Sequence, residues 1–309
     1  MNKLIIEPTP HIRSSNSTAR IMLGVIIATV PAMIASIIIF GARAALLIIT
    51  CVTACVFFEF MFRHIFKKPH TINNLSAVVT GILLAFNLPS TLPLYMAVIG
   101  CFAAIVVVKE MFGGIGQNFA NPAIVGRIVL MLSFTTHMSD YSYYNKKIDA
   151  ISTATPLAIT NPEDLPSTLD LFLGNHGGSL GETSAIALLI GFVILLALKI
   201  IRPVTPLIFI GTVAIGTLIT GGDPIFSVLT GGLLLGAIFM ATDYATNPMT
   251  VRGKLIFGFG CGLITLVVRE LGAMPEGVAF SILTMNILTP LIDKITRPRP
   301  FGMKKEGKS

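Results

Sequence analysis

Charge is scarce in this chain. Only 12% of its 309 residues are Asp, Glu, Lys or Arg, about half of the roughly 25% that soluble globular chains carry. With 53% hydrophobic residues and a mean hydropathy of +0.83, the chain has too little polar surface for the two or three water-exposed domains that length alone suggests. The composition excludes a soluble protein and implies an integral membrane protein. A secretory leader is missing too. Residues 1–20 are too polar for an apolar leader core and no small-residue cleavage site follows, so the first span, from Ile21, is expected to stay.

Other absences narrow the function. The four cysteines, Cys51, Cys55, Cys101 and Cys261, sit inside apolar stretches without a C-x-x-C pair. Cys51 and Cys55 share a helix face and leave a partner-shared metal site conceivable, but two thiols fall short of the four an iron–sulfur cluster takes. Burial as small apolar side chains is the simpler reading, and no metal site is assigned. His11, His64, His70, His137 and His176 fall in terminal or loop positions without ligand spacing, which favours interfacial or surface roles over haem or zinc. The net charge of +7 is dispersed in short clusters between apolar runs, so it speaks for membrane orientation and against nucleic acid.

A helix needs about 20 apolar residues to cross the hydrocarbon core. Ten stretches qualify, near 21–40, 44–62, 75–88, 92–112, 120–138, 184–201, 204–220, 225–241, 254–272 and 277–295. The third is short, ends at Asn87-Leu88-Pro89, and reads as a broken helix. With the N-terminus inside, seventeen Lys and Arg fall in inner segments and four in outer ones. Both termini are therefore expected in the cytoplasm. Five spans then precede the one long polar segment, 139–183, which lies outside; it holds six acids against two lysines. Ala77–Leu84 matches Ser227–Leu234 at five of eight positions with an offset of 150. Because five is odd, the expectation is an all-α membrane fold of two inverted five-helix repeats, with ligands between the halves. The organisation reads as an N-terminal segment 1–20, a first repeat 21–138, the loop 139–183, a second repeat 184–296 and a basic tail 297–309.

Among charges inside apolar stretches, Glu59, Lys109 and Glu110 sit near span ends, where snorkelling accounts for them. Arg127 lies deeper. Gly113-Gly114-Ile115-Gly116 has no βαβ context, which removes a dinucleotide reading. Asn121-Pro122 and Asn247-Pro248 each read as a helix cap followed by a first-turn proline. Asn118 has no such role; with Asn121 it offers amide donors and acceptors to a flat, carbonyl-rich ligand beside a helix N-terminus. In the loop, Asp149-Ala150-Ile151-Ser152-Thr153-Ala154-Thr155-Pro156-Leu157 is a run of small residues and hydroxyls. A Ser/Thr-rich turn is its plain reading. No neighbouring His or Lys activates a threonine there, so anything attached to it is put there by another enzyme.

At these residues the chain resembles the NqrB/RnfD family, and its length fits the RnfD branch better than the longer NqrB branch. The resemblance runs over the whole chain through Thr9–Ser14, Asn118–Ala123 and Ala241–Pro248, and Asp149…Ser152-Thr153-Ala154-Thr155 is similar to the family's flavinylation motif, with Thr153 where glycine is commoner. The resemblance implies FMN joined through its phosphate to Thr155 by a flavin transferase that recognises Asp149, Ser152, Thr153 and Ala154. It also implies a non-covalent riboflavin near Asn118 and Asn121, and a fold similar to urea transporters. The implied function is that of a membrane subunit of an ion-translocating ferredoxin:NAD oxidoreductase, the Rnf complex, in a bacterial inner membrane. It would act beside an extracytoplasmic FMN-bearing G subunit and membrane subunits A and E, passing electrons across the membrane while sodium or protons move. Quinone reduction in the NqrB manner and a solute channel are the alternatives.

Overall fold

A computed structural model describes residues 17–141, 157, 166–271 and 277–297. Helix α1 (Thr18–Phe40) starts where the Ser17 hydroxyl accepts the Arg20 amide and stops at Gly41, whose φ of 71° turns the chain into α2 (Ala42–Ile65). A 3-10 turn leads to α3 (Ser76–Phe86). Helix α4 (Leu94–Phe102) runs on as a π-helix, π1 (Ala103–Glu110), and α5 (Pro122–Ser133) and the short α6 (Thr135–Met138) follow. After α7 (Thr168–Leu173) come α8 (Ala185–Ala197), α9 (Val204–Thr220), α10 (Pro224–Leu229) and α11 (Leu233–Leu235). A second π-helix, π2 (Gly236–Met240), precedes α12 (Val251–Leu271) and α13 (Val278–Thr296).

Among the described residues, four helices are long and apolar enough to cross a membrane: α1, α2, α12 and α13. This corrects the expectation of ten spans in two inverted five-helix repeats similar to urea transporters. The remaining apolar stretches fold as shorter helices, Ser76–Phe86, Pro122–Ser133, Ala185–Ala197 and Val204–Thr220 among them, or are broken. The run 120–138 breaks at Phe134, with φ −133° and ψ 50° between α5 and α6. The run 225–241 breaks between α10 and α11, where Gly231 and Gly232 take φ of 65° and 67°. Hydropathy finds apolar stretches but carries no information on where a backbone leaves the helical basin. The described residues do not resolve into two matched halves.

Lipid tails are as apolar as leucine, so close packing rather than hydrophobic burial must hold such helices together. Large side chains face outward, with Ile38 72% and Ile219 80% exposed. Inside, glycines let backbones meet. A Cβ on Gly258 of α12 would stand 3.0 Å from the Thr205 carbonyl oxygen, and one on Gly262 2.5 Å from Thr212 Cβ, so this G-x-x-x-G pair seats α12 on α9. Gly81 does the same for α3: a Cβ there would lie 2.7 Å from Val52 Cα and 2.9 Å from the Cys51 carbonyl oxygen, both backbone atoms of α2. Gly81→Ala is expected to destabilise the protein by about 1–3 kcal/mol through overpacking. Gly211→Ala, where nothing lies within 4 Å, should not. Melting of the two variants in detergent compares them.

The C-terminal part of the long polar segment folds inward. Gly181 N donates to the Phe86 carbonyl at 2.9 Å, Leu180 N to that of Leu88 at 3.0 Å, and the Ser36 hydroxyl to that of Leu180 at 2.6 Å. The chain thereby satisfies carbonyls at the broken end of α3, as apolar surroundings require. His176, expected at an interface or surface, is buried, with its ring nitrogens 3.0 and 3.2 Å from the Gly177 and Thr183 carbonyls.

Candidate functional site

Two buried ion pairs join α2 to π1. Lys109 Nζ lies 2.6 Å from Glu59 Oε2, and the Arg63 guanidinium grips Glu110 through Nε–Oε2 at 3.0 Å and Nη2–Oε1 at 3.3 Å. Glu59 and Arg63 are one helical turn apart, so both face π1. All four are buried: Glu59 and Glu110 at 0%, Lys109 at 3% and Arg63 at 6% exposure. The side chains expected to snorkel do not. Burying a lone charge costs several kcal/mol, whereas a paired and hydrogen-bonded one is tolerated. Thr71 donates to Glu59 Oε1, Lys109 to the Ser76 hydroxyl at 2.7 Å, and Arg63 to the Pro69 carbonyl. Arg127, likewise buried, donates to Asn87 Oδ1 at 2.7 Å.

Lys109 and Ser76 also line a cavity with about 750 Å³ of space, mouth included. Its walls come from α1, α3, the end of α8, the 115–122 turn, and the segment Thr242–Ala245 after π2. Asn121 caps α5, its Oδ1 accepting the Ala123 amide at 3.0 Å, and Pro122 occupies the first turn. Its Nδ2 donates to the Met240 carbonyl at 3.3 Å, tying this cap to the end of π2. Capping and cavity lining are thus both roles of Asn121. Asn118 lines the cavity too, but its Nδ2 is drawn to the Ala120 carbonyl at 3.0 Å. Ser76 opens α3 and Asn121-Pro122 open α5, so two helix N-termini border one space, each carrying partial positive charge.

Sequence reasoning assigns no site role to Lys109, Ser76, Thr80, Thr242, Asp243 and Tyr244, all of which line the cavity. For the last three, the Ala241–Pro248 motif is the signal that could have found them. Burial raises the Asp243 carboxyl above its ordinary value, opposed by hydrogen bonds from the Ala245 and Tyr244 backbone and the Thr246 hydroxyl. Tyr244 donates its hydroxyl to the Ile200 carbonyl across the mouth. Asn247 is not a cap: its Nδ2 reaches Thr205 Oγ1 at 3.4 Å, while Thr250 caps α12 by accepting the Gly253 amide at 2.9 Å.

The slot combines amide, hydroxyl, ammonium and carboxyl groups from α3, π1, the 115–122 turn and the Thr242–Ala245 segment with the apolar side chains Met22, Val25, Leu195 and Phe239. Such a mixed lining offers both hydrogen-bonding and apolar contacts to a ligand. Asp149, Ser152, Thr153, Ala154 and Thr155 lie outside the described residues. Leu157, two positions beyond Thr155, is described. A Cβ on Gly231 would collide with Leu157 Cδ1 and stand 2.8 Å from Arg269 Nη2, so Leu157 lies against that glycine beside the arginine. The Arg269 guanidinium in turn donates to the Ser227 carbonyl, the Ser227 hydroxyl and the Thr230 carbonyl at 2.7–3.0 Å.

Residues 5–302 match the model of the NQR2, RnfD, RnfE family. The chain is 47% identical to the D subunit of the Na(+)-translocating ferredoxin:NAD(+) oxidoreductase complex of Acetobacterium woodii, over 99% of this chain and 98% of that protein. It is 42% identical to the D subunit of the proton-translocating ferredoxin:NAD(+) oxidoreductase complex of Clostridium ljungdahlii, over 98% of each. To the D subunit of the ion-translocating oxidoreductase complex of Stutzerimonas stutzeri it is 37% identical, over 95% of this chain and 94% of that one.

Proposed function

The chain belongs to the NQR2, RnfD, RnfE family, and from that membership we propose that it is the D subunit of an Rnf-type ferredoxin:NAD oxidoreductase that moves Na+ or H+ through a bacterial inner membrane. The observation that carries the reading is end-to-end likeness to two such subunits, at 47% and 42% identity. In this reading FMN is esterified to Thr155 and riboflavin sits in the slot beside Asn118 and Asn121. The G, A and E subunits of the complex are its neighbours, and a flavin transferase loads Thr155. In this reading both termini, which hold Lys3, Arg13 and Arg20 on one side and Arg297, Arg299, Lys304, Lys305 and Lys308 on the other, face the cytoplasm. The 139–183 segment, with two lysines and no arginine, faces outward.

A bound flavin supplies the one- and two-electron redox chemistry that protein side chains lack. The chain's own residues bind and orient. Beyond the bonds to the Ala120 and Met240 carbonyls, the Asn118 and Asn121 amides each keep one N–H. The Thr80 and Thr242 hydroxyls, which donate to the Ser76 and Ile238 carbonyls, keep acceptor lone pairs. With the N-termini of α3 and α5 these would meet a polar ring edge. Lys109, paired with Glu59 and bonded to Ser76, holds its ammonium at the wall with one of its three N–H groups uncommitted among the described residues. Met22, Val25 and Phe239 exclude water from a ring face.

Two measurements on the purified chain test the reading. Mass spectrometry of the peptide containing Thr155 should show one flavin mononucleotide adduct, and denaturation should release riboflavin. An unmodified peptide from cells that make the transferase would end the FMN assignment. Asn121→Ala is expected to remove the α5 cap, at about 1 kcal/mol, and to lower released riboflavin several-fold while leaving the Thr155 adduct in place. Unchanged riboflavin would move that site elsewhere.

A further inference from the structure

Next to the slot lies a second cavity with a different character. Lys199, Arg202 and Lys254 line it together with Asn247, and its space, mouth included, is about 900 Å³. Among the described residues none of these three cations has a hydrogen-bond or ion-pair partner, in contrast to buried Arg63 and Lys109. No acid lines the cavity. Of the nearby carboxylates, Asp293 accepts the Met249 amide at 3.1 Å, and Asp243 belongs to the neighbouring slot. Asn247 Oδ1 is buried without a partner, and its Nδ2 makes only the long 3.4 Å contact to Thr205. Rotating that amide would let Oδ1 accept from Thr205 and leave the NH2 free to donate.

Local backbone adds to the case. Helix α8 closes with the Ile200 amide on the Leu195 carbonyl at 3.0 Å and that of Lys199 on Leu196 at 3.0 Å. Lys199 occupies the left-handed position of this closure, φ 54°, where glycine is the unstrained choice. A lysine there keeps a cation at the cavity at a local conformational cost. Apolar side chains line the cavity beside the cations, Ile200, Ile201 and Met249, the last 88% exposed. Three unpaired cations, one idle amide and an apolar skirt match a phosphate carried on acyl chains.

We propose that Lys199, Arg202, Lys254 and Asn247 form a binding site for the phosphate of an anionic phospholipid, beside the slot, with which it shares Ile200, Ile201, Thr242 and Tyr244 as walls. Free phosphate shares that chemistry but has no use for the apolar skirt.

The test uses the full-length chain, purified with the subunits that accompany it, delipidated and titrated with phosphatidylglycerol in phosphatidylcholine nanodiscs. Bound phosphatidylglycerol is counted by mass spectrometry. The triple variant Lys199→Gln/Arg202→Gln/Lys254→Gln should need on the order of a hundredfold more phosphatidylglycerol for the same occupancy. Lys67→Gln/Lys68→Gln, which removes charge elsewhere, should behave as the parent. Equal loss in both would reduce the effect to general surface charge and overturn the site, as would no loss in the triple variant. Inorganic phosphate should not displace the lipid at physiological ionic strength; displacement would overturn the lipid assignment. Should the triple variant misfold, amine acetylation of Lys199 and Lys254 in the unaltered protein decides. Phosphatidylglycerol, unlike phosphatidylcholine alone, should slow it several-fold, and an unchanged rate would overturn the proposal.

Discussion

Thr155→Val, made in cells that also make the flavin transferase, is expected to yield a polypeptide with no flavin fluorescence after denaturing electrophoresis. Valine keeps the volume and β-branching of threonine, so the change removes little but the hydroxyl oxygen that would form the phosphoester. Ser152 and Thr153 offer hydroxyls of the same chemistry nearby, yet none of the three has a His or Lys beside it in the chain, and attachment depends on which position the transferase recognises. The loss should therefore be complete rather than shared among neighbours. Thr155→Ser restores a hydroxyl at that position and should restore at least part of the signal. Asp149→Ala, which alters recognition and not the acceptor, should lower the yield without abolishing it. A fluorescent Thr155→Val band would move the attachment to another side chain. Riboflavin content should be the same in all these variants, because the slot at Asn118 and Asn121 shares no lining residue with Leu157 or its neighbours Gly231 and Arg269.

Breaking the Lys109–Glu59 pair should give the largest loss of stability. Lys109→Met leaves the Glu59 carboxylate at 0% exposure with the Thr71 hydroxyl as its remaining donor among the described residues, and Glu59→Leu strands Lys109 in the same way. Each single change is expected to cost about 3–5 kcal/mol, the penalty of an uncompensated buried charge. The double change removes both charges and should recover most of that loss. Denaturation in detergent, followed for all four members of the cycle, measures it. If the double variant is as unstable as the sum of the singles, the pair is not the unit described. Lys109→Met should also weaken riboflavin retention, since Lys109 lines the slot, whereas Arg63→Met, whose partner Glu110 does not line it, should act on stability alone.

Much of this was legible in the sequence, for a reason that differs by element. The long spans near 21–40, 44–62, 254–272 and 277–295 fall within a few residues of α1, α2, α12 and α13, because a membrane-length apolar run bounded by Gly41 or by charged turns leaves the chain few choices. Asn121 was legible as a cap because Asn-Pro at a helix start has a local chemical meaning. The same signal misled at Asn247, where Thr250 takes the capping place. The ion pairs were not legible. Glu59 and Lys109 lie fifty positions apart in the chain, and nothing local tells a side chain that will snorkel from one that will meet an opposite charge inside. The slot was only half visible, since Asn118 and Asn121 announce themselves while Asp243 arrives from the far side of π2. The breaks at Phe134 and at Gly231-Gly232 depend on backbone torsions to which hydropathy is blind.

The π-helical run from Ala103 to Glu110, where the Met111 amide bonds five residues back to Val106, sets which way the two charges at its end point. Its wider turn accommodates extra backbone relative to the ordinary 3.6-residue turn. Wound as an ordinary α-helix without losing a residue, the same run would carry the Lys109 ammonium and the Glu110 carboxylate around the axis, off the wall shared with Glu59 and Arg63. Substitutions that keep the run apolar and π-wound should leave both pairs intact, whereas one that restored ordinary winding would leave Glu59 and Arg63 without their partners.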